Sequence, residues 1–454
     1  MSEKQQFASK IGLIAATVGS AIGLGNVWRF PAETQANGGA AFLILYIACV
    51  LLLGVPVMLA EFSLGRGGGS DAIGVFRKLA PRSLWWIVGA AGVTAAFVIS
   101  MYYMVVTGWT FEYLVASIDG SLYNGMEGHG DNLSVFFADK MGTYIGSTWQ
   151  PLIFTWIVIG ANIVILLGGV QKGIERLSNV LMPLLFVILL FMLVVSLTLP
   201  GADRGVAYFL EPDFSKIDTH TVINALGQAL FSLSVGMGIL ITYSSYYPAD
   251  TRLGRTAVIV ALTSVLVAVL MGLIIFPAVK SFGLDGESMR GATLIFVTLP
   301  EVFAHLPLPW LWSSLFFALL LVAAVTSTVS ICEVPVAALR DRCGYSRHRA
   351  VLTVLLPLTV LSALCSLSFG PLADFTIFGY TIFDFLDMAS TNFLLPAVAM
   401  GVCVYMGWFA PKDLLQNELS NNGTIRSDLT PMVEIVIRWL APVAIMLIVV
   451  FNYI

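Results

Sequence analysis

The sequence predicts an all-α membrane protein whose helices cross the bilayer many times. Hydrophobic residues make up 58% of the chain and charged residues 11%, whereas soluble domains average about 25% charged residues. The apolar runs have the length of spanning helices and are too long for the strands of a membrane barrel. No basic stripe indicates nucleic-acid binding. The positions of the five cysteines imply no framework of extracellular disulfides.

The apolar runs define eleven expected spans. They lie at 11–36, 40–65, 84–116, 150–168, 174–199, 222–247, 254–282, 308–339, 349–369, 375–407 and 432–452. Spans one to five (11–199) and six to ten (222–407) form two halves of a single domain, and the last span stands apart.

The distribution of basic residues predicts the orientation. With the N-terminus in the cytoplasm, 17 of the 23 Lys and Arg residues lie on that side, five lie outside, and Arg29 is within a span. The positive-inside rule therefore favours a cytoplasmic N-terminus, and eleven spans then place the C-terminus outside. The polar N-terminus has no cleavable signal, so we expect the first span to target the chain to the cell's inner membrane.

The first span is interrupted by the stretch "GSAIGLGNVWR" at 19–29. Close helix packing through Gly19 and Gly23 is one interpretation, but it leaves Asn26 and Arg29 unexplained. A helix that breaks near 21–25 frees carbonyls for a cation and amides for an anion. Because freed backbone at this depth is tolerated only beside a cavity or other protein, we expect the break to form a binding site.

Two further stretches support this interpretation. The sixth span carries "FSLSVGMG" at 231–238, and interruptions at matching positions of two halves indicate a transporter site between inverted repeats. The eighth span carries "AAVTST" at 323–328. Hydroxyls in such helices usually bond back to a carbonyl one turn earlier. Here the Ala323 carbonyl, Thr326 and Ser327 share one helical face and suit a small alkali cation.

Taken together, "GSAIGLGNVWRFP", "NGGAAFLILY", "FSLSVGMG" and "AAVTST" resemble the neurotransmitter:sodium symporter family, which has the leucine-transporter fold. The resemblance covers nearly the whole chain. It implies two five-helix inverted repeats with broken helices 1 and 6. It also implies a lipid-embedded symporter, functional as a monomer and not an enzyme, that imports aliphatic and aromatic L-amino acids with sodium by alternating access. An amino-acid-sensing receptor or channel on the same fold is the alternative.

The resemblance also implies two sodium sites. The first would use the Ala21 carbonyl, Asn26, Ser232, Ser264 and the carboxylate of the substrate. The second would use the carbonyls of Gly19, Ile22 and Ala323 and the hydroxyls of Thr326 and Ser327. Ser232 and Ser264 replace a threonine and an asparagine of the best-known bacterial pattern, and both keep an oxygen ligand.

For the substrate, the resemblance implies that Tyr103 donates its hydroxyl to the carboxylate and that Phe231 forms a lid. Gly23 replaces an aspartate of the monoamine-transporting relatives and leaves room for a free carboxylate. The other residues expected at the substrate are Ser20, Ile22, Gly25, Ile99, Ser232, Ser234, Met237, Thr328 and Ile331. This sleeve offers no charge to match a charged substrate side chain, which predicts strong exclusion of such substrates.

Two gates are implied in the same way. Arg29 and Asp387 would form the outer gate, and Lys4 and Asp341 the inner gate, where lysine lacks the bidentate fork of arginine. Gly173 and Pro183 bracket nine residues at the start of the fifth span. Glycine and proline both lower the cost of unwinding, so this segment is a candidate water path to a sodium site.

Chloride dependence stays open. The family either binds chloride near the first sodium site or places a glutamate there. Ala268 occupies the aligned position and supplies neither a carboxylate nor a hydroxyl. Tyr46, Gln228, Ser232 and Ser264 match the surrounding shell.

Overall fold

The chain folds into a bundle of long apolar helices, which confirms the predicted all-α membrane class. The computed structural model describes residues 6–128, 132–284 and 291–451. Within them, the only β-bridge is an isolated pair between Ile377 and Tyr380. The bundle helices are α1 (α1a, Lys10–Ala21; α1b, Gly25–Ala36), α2 (Ala40–Gly68), α3 (Trp86–Ile118), α4 (Trp149–Leu167), α5 (Val170–Leu197), α6 (α6a, Thr219–Ser232; α6b, Ile239–Ser244), α7 (Leu253–Ser281), α8 (Pro309–Cys343), α9 (Arg347–Leu367), α10 (Ile382–Phe409) and α11 (Thr430–Phe451).

These helices agree with the eleven expected spans. In the described part of the chain, nine helices are long and apolar enough to cross a membrane, and α1a and α1b form a tenth span bent by 51°. The two halves of α6, separated by residues 233–238, lie at the position of the sixth expected span, 222–247. The breaks in α1 and α6 therefore lie where the glycine-rich stretches predicted them.

The predicted start of the tenth span is wrong. It was expected at residue 375, but α10 begins at Ile382. The preceding apolar residues form a turn, because Phe378 and Gly379 both adopt positive φ angles of 52° and 87°. Phe378 is 89% exposed, so hydrophobicity alone did not mark the helix boundary here.

The centre of the bundle is α8. In its most apolar stretch 78% of the residues are buried, against 33% in α5 and α11. It packs along α3, and it also contacts α1a, α6b and α9. As a result, the hydroxyl-bearing segment of α8 lies next to the break in α1.

The break in α6 requires its glycines. Gly236 has a φ of +82°, and a Cβ there would lie 2.5 Å from the Leu395 carbonyl oxygen. The amide of Gly236 donates to Oε1 of the buried Glu61 at 2.8 Å. A carboxylate on α2 thus satisfies a backbone amide that the broken helix cannot.

Candidate binding site between the broken helices

The C-terminal end of α1a is the centre of the candidate site. A helix leaves its last four carbonyls without partners in the helix, and inside an apolar bundle these carbonyls need other donors. Three of them accept side-chain hydrogen bonds from α1b, from the break in α6 and from α8. The pairs are Ala21 O with Asn26 Nδ2 at 3.1 Å, Ser20 O with Ser234 Oγ at 2.7 Å, and Gly19 O with Ser327 Oγ at 3.5 Å.

The first predicted sodium cluster is held together by these contacts. Asn26 Nδ2 also donates to Ser264 Oγ at 2.9 Å, and Ser264 Oγ donates to the Ser232 carbonyl at 3.2 Å. Asn26 is fully buried, and its Oδ1 has no hydrogen-bond partner. A buried oxygen without a partner is costly, and a hard cation is a suitable one. The four residues therefore fit a sodium ion.

The second predicted cluster lies where α1a meets α8. A Cβ on Gly19 would lie 3.3 Å from Thr326 Cβ, so the two helices are in close contact here. Thr326 Oγ1 is 3.0 Å from the Ala323 carbonyl, to which it donates. Ile22 follows the end of α1a and donates its amide to Val18 O at 2.8 Å, so its own carbonyl lies beyond the helix. The Gly19 carbonyl and the Ser327 hydroxyl lie 3.5 Å apart beside Thr326, and oxygens of this kind suit a sodium ion.

A cavity of about 30 Å³, enough for about two water molecules, lies beside the α1 break. Its lining contains most of the residues predicted for the substrate. They are Ser20, Gly23, Gly25, Ile99, Tyr103, Phe231, Ser232, Ser234, Met237 and Ile331, together with Ala21 and Ser327. Two predicted residues do not line it: Ile22 is fully buried, and the Thr328 hydroxyl donates to Val325 O at 3.0 Å.

Gly23 and Tyr103 lie together in this cavity. A Cβ on Gly23 would lie 2.8 Å from the Tyr103 hydroxyl and 2.5 Å from Ser327 Oγ, so the position has no room for a side chain. The Tyr103 hydroxyl accepts from the Leu24 amide at 2.9 Å. Its own proton stays available for an acceptor in the cavity.

Tyr46 and Gln228 surround the first cluster, as the family shell predicts. The Tyr46 hydroxyl donates to Ser232 Oγ at 3.0 Å, and Gln228 Nε2 donates to Gly25 O at 2.9 Å. Gln228 Oε1 is a second buried oxygen without a hydrogen-bond partner. Ala268 is fully buried and adds no polar group.

Above the cavity, Phe231 separates it from a vestibule of about 420 Å³ that also contains Arg29 and Asp387. The Arg29 guanidinium lies 4.8 Å from the Phe231 ring centroid and 3.7 Å from the Glu33 carboxylate. Arg29 and Asp387 are beyond salt-bridge distance, so the predicted outer gate is not bridged directly. The reason is the open space between α1b and α10, which both residues line.

The opposite end of the bundle, where the N-terminal segment lies, is closed. We call this end the N-terminal face. Phe7 is buried there, with its ring centroid 5.9 to 6.4 Å from those of Tyr243, Tyr246 and Tyr247. Lys10 and Asp250 form an exposed ion pair at 2.7 Å beside them.

Asp341, the predicted inner-gate carboxylate, binds the loop after α2. Its Oδ2 accepts from the Asp71 amide at 2.9 Å and from Ser70 Oγ at 3.3 Å. Burial raises the pKa of the Asp71 carboxyl, and the nearby Asp341 acts in the same direction. The predicted partner of Asp341, Lys4, lies outside the described residues.

The N-terminal end of α1a is capped by Glu175, a residue that the sequence did not single out. Its carboxylate accepts from the Ala8 amide at 2.8 Å, and from the Ser9 amide and hydroxyl at 3.0 and 2.7 Å. Gly12 permits this approach, since a Cβ there would lie 2.1 Å from Glu175 Oε1. Glu175 belongs to α5 and lies within the segment that Gly173 and Pro183 bracket.

The same α5 segment reaches the second oxygen cluster. Met182, which precedes Pro183, would lie 3.5 Å from a Cβ on Gly19. Residues 170–175 form a π-helical turn and 176–197 an α-helix, so the bracketed segment is helical throughout. It therefore connects the N-terminal cap of α1a with the carbonyls at its other end.

Two broken helices that surround a buried cavity, with oxygen clusters at the breaks and a vestibule next to the cavity, are the features of a secondary transporter. The chain belongs to the sodium:neurotransmitter symporter family, whose family model matches residues 4–129 and 135–454. The predicted family is thus confirmed. The chain is a multi-pass, sodium-coupled membrane transporter and not an enzyme.

Individual relatives match this chain over nearly its whole length. The uncharacterized sodium-dependent transporter YhdH of Bacillus subtilis is 36% identical over 450 residues, which cover 99% of this chain and 98% of that protein. An uncharacterized sodium-dependent transporter of Haemophilus influenzae is 36% identical over 92% of both chains. The solved structure of MhsT in complex with L-phenylalanine is 39% identical, with a TM-score of 0.89 over 99% of this chain and 100% of that one.

The capping contact makes a prediction for local stability. Glu175→Gln places an amide NH₂ against donors, and Gly12→Ala pushes the carboxylate away. Both variants should therefore speed hydrogen–deuterium exchange of the Ala8 and Ser9 amides, by about tenfold. Mass spectrometry of the N-terminal peptides measures this rate. The control is Glu211→Gln at an exposed position, and unchanged exchange in both variants would refute the capping role.

Proposed function

We propose that the protein imports hydrophobic L-amino acids together with two sodium ions by alternating access. The observation that carries this proposal is the cavity at the α1 break, which places Gly23 and Tyr103 next to the first oxygen cluster. The MhsT structure was solved with an amino acid of this class, L-phenylalanine.

The carboxylate of the substrate would bind at the start of α1b. Gly25 is the first residue of that half-helix, whose positive end favours an anion. The amides of Asn26 and Val27 donate to the Gly23 carbonyl at 3.2 and 3.4 Å, so the carboxylate would have to replace this contact. The Tyr103 hydroxyl supplies a further donor. Asn26 Oδ1 is one residue away along the chain, so a sodium ion bound by Asn26 would also contact the carboxylate. Because each ligand completes the site of the other, sodium and substrate should raise each other's affinity by the same factor.

The side chain of the substrate would lie among apolar residues. Ile99, Met237 and Ile331 line the cavity, and none of the residues that line it is charged. An unmatched charge there would cost several kcal/mol. Since the cavity has a volume of only about 30 Å³, a substrate fits only if flexible side chains move aside. Met237 and the half-buried Phe231 are suited to this, and a thioether adapts to both aliphatic and aromatic shapes.

We further propose that the N-terminal face is cytoplasmic, as the basic residues indicate, with the C-terminus outside the cell membrane. The structure then has an extracellular vestibule and a closed cytoplasmic side. The repeats would comprise 11–199 and 222–407, with 432–452 outside them, and one copy of the chain would suffice for transport.

Sodium would leave the second site along α5. This proposal is supported by the contact of Met182 with Gly19 and by the glycine and proline at positions 173 and 183. It predicts that amides 174–182 exchange faster without sodium than with it, in the same mass-spectrometric experiment. Exchange that is independent of sodium would contradict this path.

The second sodium site makes the first functional prediction. Thr326→Ala combined with Ser327→Ala removes two of five proposed oxygens, so sodium-dependent leucine binding should weaken by about a hundredfold. Uptake of labelled leucine into proteoliposomes along a sodium gradient should fall to background.

The matched control is Thr110→Ala with Ser117→Ala in α3, whose buried hydroxyls donate to carbonyls of their own helix. This control should transport normally. Normal sodium-driven uptake in the α8 double variant would overturn the site. Leucine binding without accumulation in the unmodified protein would favour the receptor alternative.

The second functional prediction concerns the carboxylate of the substrate. Leu, Ile, Val, Phe, Tyr and Trp should compete with labelled leucine for one site, whereas tryptamine and tyramine should not, because they lack the group that completes the first sodium site. Lysine and glutamate should also fail, because their side-chain charges find no partner. Competition assays in saturating sodium measure this order. Tryptamine that competes as well as tryptophan would contradict the proposed carboxylate contact.

A further inference from the structure

A second large cavity lies on the outside of the bundle, near the N-terminal face. It has a volume of about 430 Å³, more than ten times that of a water molecule, and it lies between α3, α8 and α9. We call it the α3–α8 groove. Its walls are mostly apolar and include Val93, Phe97, Ala338 and Val354. Because these helices span a membrane, a groove that opens outward between them is in contact with lipid.

The length of the groove along its helices is similar to the hydrocarbon thickness of one membrane leaflet. Phe97 is eleven residues from the first residue of α3, about 16 Å along the helix, and Pro335 is eight residues from the last residue of α8, about 12 Å. Half of a hydrocarbon core of about 30 Å is similar to these lengths. A lipid chain entering from the N-terminal face would therefore reach the inner end of the groove.

The mouth of the groove carries an available cation. Arg342 lines it, is exposed, and takes part in none of the ion pairs within the described ranges. Two neighbouring arginines are engaged: the Arg347 guanidinium lies 2.7 Å from the Glu333 carboxylate, and that of Arg349 lies 4.1 Å from the Tyr345 ring centroid. Asp71 interacts with Arg342 only at longer range. Arg342 thus has charge and donors left for an anion.

Two threonines between the mouth and the inner end add polar groups. Thr94 and Thr353 line the groove and are exposed, and their hydroxyls take part in none of the hydrogen bonds found among the described residues. A threonine in a membrane helix ordinarily bonds back to its own helix. By the same measure, Thr94 lies about 12 Å and Thr353 about 9 Å from the helix ends at the N-terminal face, at the level of the acyl chains.

We propose that the α3–α8 groove binds one anionic phospholipid from the leaflet at the N-terminal face. The acyl chain fills the groove and passes Thr94 and Thr353, and the phosphate pairs with Arg342. A zwitterionic lipid also carries a phosphate, but its own head-group cation would lie close to Arg342 and weaken the pair. A small soluble anion would not cover the apolar walls of the groove. Charge and apolar depth together select an acidic lipid.

The position of the groove links it to the central cavity. Phe97 and Pro335 line the groove, while Ile99 and Ile331 line the cavity on the same two helices. Pro335 has no amide proton to donate to the Ile331 carbonyl, so α8 is weakened between the two sites. A bound lipid chain braces this part of α8 and should raise the thermal stability of the protein.

The test uses the full-length, delipidated protein in detergent and native mass spectrometry. Phosphatidylglycerol and phosphatidylcholine with identical acyl chains are titrated in parallel. One phosphatidylglycerol per chain should bind about tenfold more tightly than phosphatidylcholine, and it should raise the unfolding temperature. Arg342→Gln should remove the preference, whereas Arg349→Gln should keep it.

The apolar part is tested separately. Thr94→Phe fills the groove at an exposed position and should weaken binding of both lipids, whereas Val360→Phe on the exposed side of α9, outside the groove, should not. Equal affinity of the unmodified protein for the two lipids would overturn the proposal. So would equal losses in Arg342→Gln and Arg349→Gln, or displacement of the lipid by glycerol phosphate. None of these measurements depends on transport, so the proposed function can fail without affecting them.

Discussion

The last carbonyls of α1a, which have no partner within their own helix, are the constraint on which the rest of the site depends. Inside an apolar bundle such groups must find donors or a cation. Asn26 of α1b, Ser234 of the α6 break and Ser327 of α8 each donate to one of them. The same contacts that satisfy the broken helix therefore fix the positions of three other elements around the cavity.

α1a is held by other helices at both of its ends. Its carbonyls are held by hydroxyl and amide groups, and its first amides are held by Glu175 of α5. Because Met182 of the same helix lies beside Gly19, a change at the proposed second sodium site and a change at the N-terminal cap would both act on α1a. The cation binding proposed at one end of α1a would thus be physically connected to the N-terminal face, where Phe7 packs against α6b.

The sequence predicted those parts of the structure that local chemistry decides. Clusters of glycine within apolar runs predicted both broken helices, whereas the sodium site at the α8 hydroxyls stays a prediction. The features that the sequence did not reveal depend on contacts between distant parts of the chain. In the sequence, Glu175 is only an acidic residue near the start of α5, and it caps α1a because the fold brings Ala8 next to it. The turn at Phe378 is as hydrophobic as the helix that follows, so the sequence did not reveal where that helix begins.

The central claim is that the carboxylate of the substrate and a sodium ion complete one site. Equilibrium binding of labelled leucine over a range of sodium concentrations, with sodium binding over a range of leucine concentrations, tests it most directly. The account predicts that each ligand tightens the other by the same factor, about fivefold or more. Leucine affinity that does not change between sodium-free and saturating sodium buffers would contradict it.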